Sequence, residues 1–392
     1  MMLTKRIQNI KPAATLALTG KVAELRKQGI DVIAFNLGEP DFGTPQNICD
    51  AAKAAIDAQK TKYTVVSGIM DLKEAICAKF LKDNNVVYKP NEICVGTGAK
   101  QPLVNAVLAL CEEGDEVIIP TPCWVSYIEM VKLSGATPVL VQNREEDGFA
   151  LNVEGIKKAI TPKTKAIMIN TPNNPTGAVY TEESIRMVTD ILKKKQEEYG
   201  HPIYLVSDEP YRKLAYDIEV PYLTHYYENT IVVYSYSKAL SIPGERIGYI
   251  AMETCVQDYE DLIAGMTASM RYLGYVNAPS LQQKMLLKCV DASVDISIYQ
   301  ETRDILYNAL TEIGYTCIHP DGAFYLFVKA LEEDDTKFCE RAKEEKILMA
   351  PGTAFYGPGW VRVSYCVPAE VAKRSIPAFQ RLYDKYQAEQ VL

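Results

Sequence analysis

A lysine, two hydroxyls and an arginine fall close together in Ser235-Tyr236-Ser237-Lys238 and Arg246. An apolar run, Ile231-Val232-Val233, leads in and reads as a short buried strand. A second strand, Ile247-Gly248-Tyr249-Ile250, follows the arginine. Serine hydroxyls and the planar donor fork of a guanidinium suit a phosphate. That leaves the Lys238 amine free to form a Schiff base with an aldehyde. Alone, Ser-x-Ser-Lys is a polar turn with a surface lysine, and such short motifs match by chance. Its meaning comes from other polar residues placed the same way. Lys100 follows Gly96-Thr97-Gly98-Ala99, Asn174 lies in Asn173-Asn174-Pro175-Thr176-Gly177, and Asp208 lies in Ser207-Asp208-Glu209. Each has a plainer reading: a turn for Asn-Pro-Thr-Gly, a capping aspartate after a strand, and a Gly-x-Gly without the acidic partner of a dinucleotide site.

The elements that must position these residues alternate. From residue 93 the chain reads strand, turn, helix in repetition, with strands at Ile93–Val95, Val117–Ile119, Val139–Val141, Ala166–Ile169, Ile203–Val206 and Ile231–Val233. Helices are expected near 101–111, 125–134, 153–160 and 182–198. This predicts a mostly parallel sheet with helices on both faces, and ligands bind beyond the carboxyl ends of such strands. Lys100, Asn174, Asp208 and Lys238 all stand at those ends. Before the repeat, helices are expected over 14–29, 46–59 and 70–83, and a strand over Val32–Leu37. After it, 258–290 reads as helical and leads by continuous helix into an α+β region with strands at Ala323–Val328 and Trp360–Tyr365.

Composition narrows the classes. The chain has 392 residues, 48% hydrophobic and 23% charged, with net charge −8. Two domains fit that length, and the acidic balance argues against nucleic acid as a partner. Ten scattered cysteines without Cys-x-x-Cys spacing, and only three histidines, argue against zinc and against a disulfide framework. No run approaches the ~18 apolar residues of a membrane span, and no apolar signal core follows Met1-Met2-Leu3-Thr4-Lys5-Arg6. The expected location is the cytoplasm.

Taken together, the motifs resemble the fold-type I, pyridoxal-phosphate-dependent aminotransferases of class I/II, in particular the bacterial aspartate aminotransferase subgroup. The resemblance runs from Lys11-Pro12 to Tyr365. It is carried by Leu37-Gly38-Glu39-Pro40-Asp41-Phe42, Lys62-Tyr63, Thr97–Gln101, Trp124-Val125-Ser126-Tyr127, Asn170–Tyr180, Ser207–Tyr211, Ser235–Gly248 and Val361–Tyr365. It implies a seven-stranded, mostly parallel sheet between helices in a large domain, 45–290. A smaller α+β domain would come from 1–44 and 291–392. It also implies roles. Lys238 would carry pyridoxal 5′-phosphate and shuttle a proton. Asp208 would face the pyridine nitrogen, which makes the ring withdraw electrons. Asn174 and Tyr211 would donate to the phenolic oxygen. Backbone N–H groups of Ala99 and Lys100 would join Ser235, Ser237 and Arg246 around the phosphate. Trp124 would stack on the ring, and Tyr63 would reach the phosphate of a neighbouring subunit in a homodimer. Arg362 and Gly38 would hold the substrate α-carboxylate, and Lys100 would face the distal carboxylate of aspartate or glutamate.

The expected activity is therefore ping-pong transfer of an amino group from an L-amino acid to a 2-oxo acid. Two stretches depart from the subgroup's pattern: Leu240–Glu245, and the substrate-side segment of Tyr272 and Asn277-Ala278-Pro279. They keep alanine, aromatic amino acids and prephenate open as substrates. A β-lyase or decarboxylase on the same cofactor, a non-catalytic regulator and a dinucleotide enzyme are the rival readings.

Overall fold

The computed structural model describes residues 3–11, 20, 22 and 24–390. The helix expected over 14–29 lies largely outside the described residues. Residues 24–27 are helical and end before Gly29, whose φ of 77° is the left-handed stop that glycine takes without strain.

In chain order the strands are β1 (Ile33–Ala34), β2 (Ile93–Gly96), β3 (Glu116–Thr121), β4 (Thr137–Gln142), β5 (Thr164–Asn170), β6 (Tyr204–Asp208), β7 (Thr230–Ser235) and β8 (Gly248–Ala251). After them come β9 (Cys317–Ile318), β10 (Tyr325–Lys329), β11 (Ile347–Leu348), β12 (Ala350–Pro351) and β13 (Trp360–Ser364). The central sheet has seven strands in the order β2-β8-β7-β6-β5-β3-β4. Its neighbours are parallel except at β8, which runs against both β2 and β7. The mostly parallel sheet expected from the alternation is present.

The β-branched runs form these strands because both of their faces are covered. Val117 and Ile119, Ala166 and Met168, and Ile231 and Val233 pack into one apolar layer with Leu103, Val131 and Met266. The intervening Ile118, Ile167 and Ile169 pack into another with Ile156, Val188 and Leu192. Alternate residues thus bury on opposite faces, each apolar side chain contributing about 1.5–3 kcal/mol. Helices Lys100–Leu110, Ser126–Ser134 and Tyr259–Tyr272 cover the first face, and Val153–Ala159 and Glu182–Tyr199 the second. Asn152 and Thr181 cap the last two through side-chain oxygens that accept from Gly155 and Ser184 N–H.

A second, four-stranded antiparallel sheet has the order β12-β13-β10-β9. Its core combines Phe324, Leu326, Val361 and Val363 with Leu306, Leu310 and Phe379 from helices Ser297–Ile313 and Ala369–Gln390. Arg362 therefore sits on an interior strand, flanked by β10 and β12. Two expectations fail. The strand over 32–37 shrinks to Ile33–Ala34, because its ladder among the described residues is the two-residue pairing with β11. The helix over 258–290 is two helices, Tyr259–Tyr272 and Ser280–Leu287, and no continuous helix links the regions. Gly274, at φ 95°, and Pro279, which opens the second helix, cause the break.

Candidate active site

The carboxyl ends of β5, β6 and β7 open into a cavity of about 310 Å³, closed on the far side by β10, β13 and the Leu37-Gly38 turn. Of the residues singled out in the sequence, Gly38, Ala99, Lys100, Trp124, Asn174, Asp208, Tyr211, Ser235, Ser237, Lys238, Arg246 and Arg362 all line it.

One end of the cavity is built for an anion. The Ser235 and Ser237 hydroxyls lie 2.8 Å apart, and Arg246 Nη1 donates to Ser237 Oγ at 3.5 Å and to the Pro243 carbonyl at 2.9 Å. Helix Lys100–Leu110 begins here, with Ala99 as its first flanking residue. Its unpaired N–H groups and dipole favour negative charge. Gly98 has φ 72°, and a Cβ on it would stand 2.5 Å from Arg246 Nη2, so a side chain there would push the guanidinium out of the cradle. Arg246 itself holds φ 50°, a left-handed conformation that a residue with a side chain keeps only where the surroundings enforce it.

At the floor, Asp208 is 4% exposed. Its Oδ2 accepts from the Tyr127 hydroxyl at 2.5 Å, while Oδ1 has no hydrogen-bond partner among the described residues. Burial raises its pKa to about 7, against the lowering effect of the Tyr127 hydrogen bond and with a further push from Glu209. Lys238 donates from Nζ to the Gly38 carbonyl at 2.6 Å. Burial lowers its pKa to about 8; Cys366 and Glu39 oppose the shift, and Arg362 and Arg246 add to it. A lysine that is partly neutral near physiological pH is a nucleophile and a base.

Across the buried interior from the cradle stands Arg362, on β13. Its Nη1 donates to Asn174 Oδ1 at 2.9 Å and its Nη2 to the Asn36 carbonyl at 3.0 Å, while Nε has no partner among the described residues. With Asn174 Oδ1 occupied as an acceptor, the amide NH₂ of that side chain is left to donate. Tyr211 shares a 2.7 Å hydrogen bond with Tyr325. At the mouth, Lys100 Nζ lies 4.7 Å from the Trp124 ring centroid. No carboxylate pairs with Lys100 among the described residues, and burial and Arg246 both lower its pKa.

Tyr63 is not brought in. It is 90% exposed and lines a separate surface hollow with Asn277 and Pro279. Tyr272 is likewise exposed and outside the cavity lining, so within one chain the segment expected on the substrate side is not there. Sequence reasoning gave no role to Tyr127 or Tyr325, although Tyr127 lay in a quoted motif. A helical turn from Trp124 to Tyr127 was the available signal for the first, and the two rings do meet edge to face at 5.4 Å. Nothing local marks Tyr325, whose partner is 114 residues away.

These residues fit pyridoxal phosphate on three separate counts: an anion cradle, a desolvated amine, and a buried carboxylate with one oxygen unpartnered among the described residues. Comparisons with known proteins agree. Residues 30–379 match the family model described as aminotransferase class I and II. The aspartate aminotransferase of Bacillus subtilis is 38% identical over 410 residues, spanning 98% of this chain and 100% of that protein. The aspartate/prephenate aminotransferase of Thermus thermophilus is 37% identical, spanning 97% and 98%. Among solved structures, an amino transferase of Eubacterium rectale superposes with TM-score 0.93 at 40% identity, covering 98% of this chain and 99% of the other. The Thermus thermophilus aspartate aminotransferase with maleate gives TM-score 0.90 at 35% identity, covering 97% and 100%.

Proposed function

The chain belongs to the pyridoxal-phosphate-dependent aminotransferases of class I and II, and from that premise we propose that it takes the amino group of aspartate or glutamate and passes it to 2-oxoglutarate or oxaloacetate. The observation that carries the acidic preference is Lys100, a cation at the cavity mouth held over Trp124 with no carboxylate partner among the described residues. Relatives that bear aspartate in their names support it.

When bound, pyridoxal phosphate supplies an aldehyde and an electron sink. Lys238 Nζ would carry the covalent link. With a substrate amine in its place, the freed nitrogen would move the proton between the substrate Cα and the former aldehyde carbon, a task its lowered pKa suits. Asp208 Oδ1 would pair with the ring nitrogen, and Tyr127, through Oδ2, holds that carboxylate in place. Asn174 and Tyr211 would donate to the phenolic oxygen. Ala99 and Lys100 N–H groups, Ser235, Ser237 and Arg246 would hold the phosphate. Arg362 clamps the α-carboxylate beside Gly38 and so fixes which Cα bond faces Lys238, while Trp124 forms the wall over the ring.

We read the working molecule as a cytoplasmic homodimer in which Tyr63 completes the neighbour's phosphate site; none of the helices among the described residues is long and apolar enough to cross a membrane. We read 45–290 as the cofactor domain and 1–44 with 291–392 as the substrate-side domain.

A half-reaction screen tests the proposal: holoenzyme is mixed with single amino acids and the cofactor's visible band is followed. Aspartate and glutamate should bleach it fastest. A faster response to alanine would overturn the acidic preference, and pyruvate released from cysteine conjugates without an oxo acid would favour a lyase. A second reading, prephenate as amino acceptor, is favoured by the aspartate/prephenate names of several relatives. Prephenate also carries two carboxylates, so Lys100 and Arg362 suit it equally.

A further inference from the structure

Tyr325 is 1% exposed and lines the cavity. Among the described residues its hydroxyl hydrogen-bonds only Tyr211, at 2.7 Å. Its ring lies under the Arg362 guanidinium, 4.5 Å from carbon to centroid. A Cβ on Gly38 would collide with its hydroxyl, so the Gly38 turn closes directly over it. We infer that Tyr325 is a positioning residue that donates its proton to Tyr211 Oη, which leaves the Tyr211 hydrogen free to point into the cavity as a donor.

The direction of the bond follows from the cation. Arg362 over the ring face draws electron density from the Tyr325 phenol and makes its O–H the stronger donor of the pair. The acidities agree: Tyr325 rises to about 12 while Tyr211 is pushed well above its usual value. A hydroxyl has one hydrogen and two acceptor positions. Tyr211, receiving from Tyr325, spends no hydrogen on the protein and becomes the better donor by cooperativity.

This inference rests on the reading in which Tyr211 donates to the cofactor's phenolic oxygen. A donor there stabilises the deprotonated linkage and lowers the pH midpoint of the cofactor's visible band. The test is a spectroscopic pH titration of holoenzyme for wild type, Tyr211→Phe, Tyr325→Phe and the double variant. Tyr211→Phe should raise the midpoint by about 1 unit or more, and Tyr325→Phe by about half a unit. The double variant should match Tyr211→Phe alone, because the relay acts only through Tyr211. A Tyr325→Phe midpoint that stays put or falls overturns the inference, since a fall means Tyr211 had been donating to Tyr325. Full additivity in the double variant overturns it too, because the effect then bypasses Tyr211. A Tyr211→Phe midpoint equal to wild type removes the Tyr211 reading itself, and the relay with it.

Discussion

The two ends of the cavity are made differently. At the cofactor end, Asp208, Ser235, Ser237 and Asn174 are buried, project from strand ends of one sheet or the turns that follow, and are held by neighbours at hydrogen-bond distance. At the mouth, Lys100 is exposed as a residue and rests on an aromatic face rather than on an ion. Burying a charge is tolerated only with tight pairing or a shifted pKa. The chemistry at the cofactor end is therefore dictated by the fold, whereas the mouth is free to vary. That matches the relatives, which share the transfer reaction and divide between aspartate and aspartate/prephenate in name.

Substitutions at the two ends should separate these regimes. The largest loss is expected for Lys238→Ala: amino transfer, followed by a coupled oxo-acid assay, should fall by at least about 10⁴-fold for every amino acid. A fall of less than tenfold would mean that another amine carries the chemistry. Arg362→Ala should come next, lowering kcat/KM by about 10²–10³-fold with aspartate and alanine alike, since every amino acid has an α-carboxylate. If alanine is spared, Arg362 belongs to the mouth and the division drawn above is misplaced. Lys100→Ala should cost about 10–30-fold with aspartate and glutamate and little with alanine. Equal losses would remove the reason for naming acidic substrates.

The same contrast explains what could be read without coordinates. Ile231-Val232-Val233 and Ala166–Ile169 declare themselves as strands because a strand buried on both faces must be continuously apolar. Strand direction then places Asp208 and Lys238 together at one edge. Tyr325 could not be read this way, because its meaning lies in a pairing with Tyr211 that only the finished fold creates. The broken helix over 258–290 is a different failure. Gly274 and Pro279 stand in the sequence as the residues that break it. Tyr63 was legible only by likeness, since a single chain gives it nothing to touch within the cavity.

The buried end also predicts a pH dependence. Only a neutral amine attacks an aldehyde, and burial brings Lys238 down to about 8. Covalent uptake of pyridoxal phosphate by the cofactor-free protein should therefore speed up about tenfold per pH unit below 8 and level off above it. An exposed lysine would keep accelerating to about pH 10.4. Stopped-flow absorbance at a fixed cofactor concentration distinguishes the curves. A break near 10 would show that the amine is solvated, and the contrast between the two ends would lose its electrostatic basis.

The smallest effect concerns the residue a single chain leaves in solvent. Tyr63→Phe removes one hydroxyl from a phosphate site that has several other donors, so pyridoxal phosphate affinity should weaken only a few-fold. A symmetric dimer makes a sharper test than the single variant. If each site borrows Tyr63 from its neighbour, a mixed dimer of the Tyr63→Phe and Lys238→Ala chains has one site with its own Lys238 and a borrowed wild-type tyrosine. Adding the Lys238→Ala chain, inactive by itself, should then restore cofactor affinity to part of the Tyr63→Phe sites. Equilibrium titration of the two chains refolded together would show a second, tighter class of sites. A single class with the affinity of Tyr63→Phe alone would place Tyr63 outside the neighbour's site, and the phosphate cradle would then be the work of one chain.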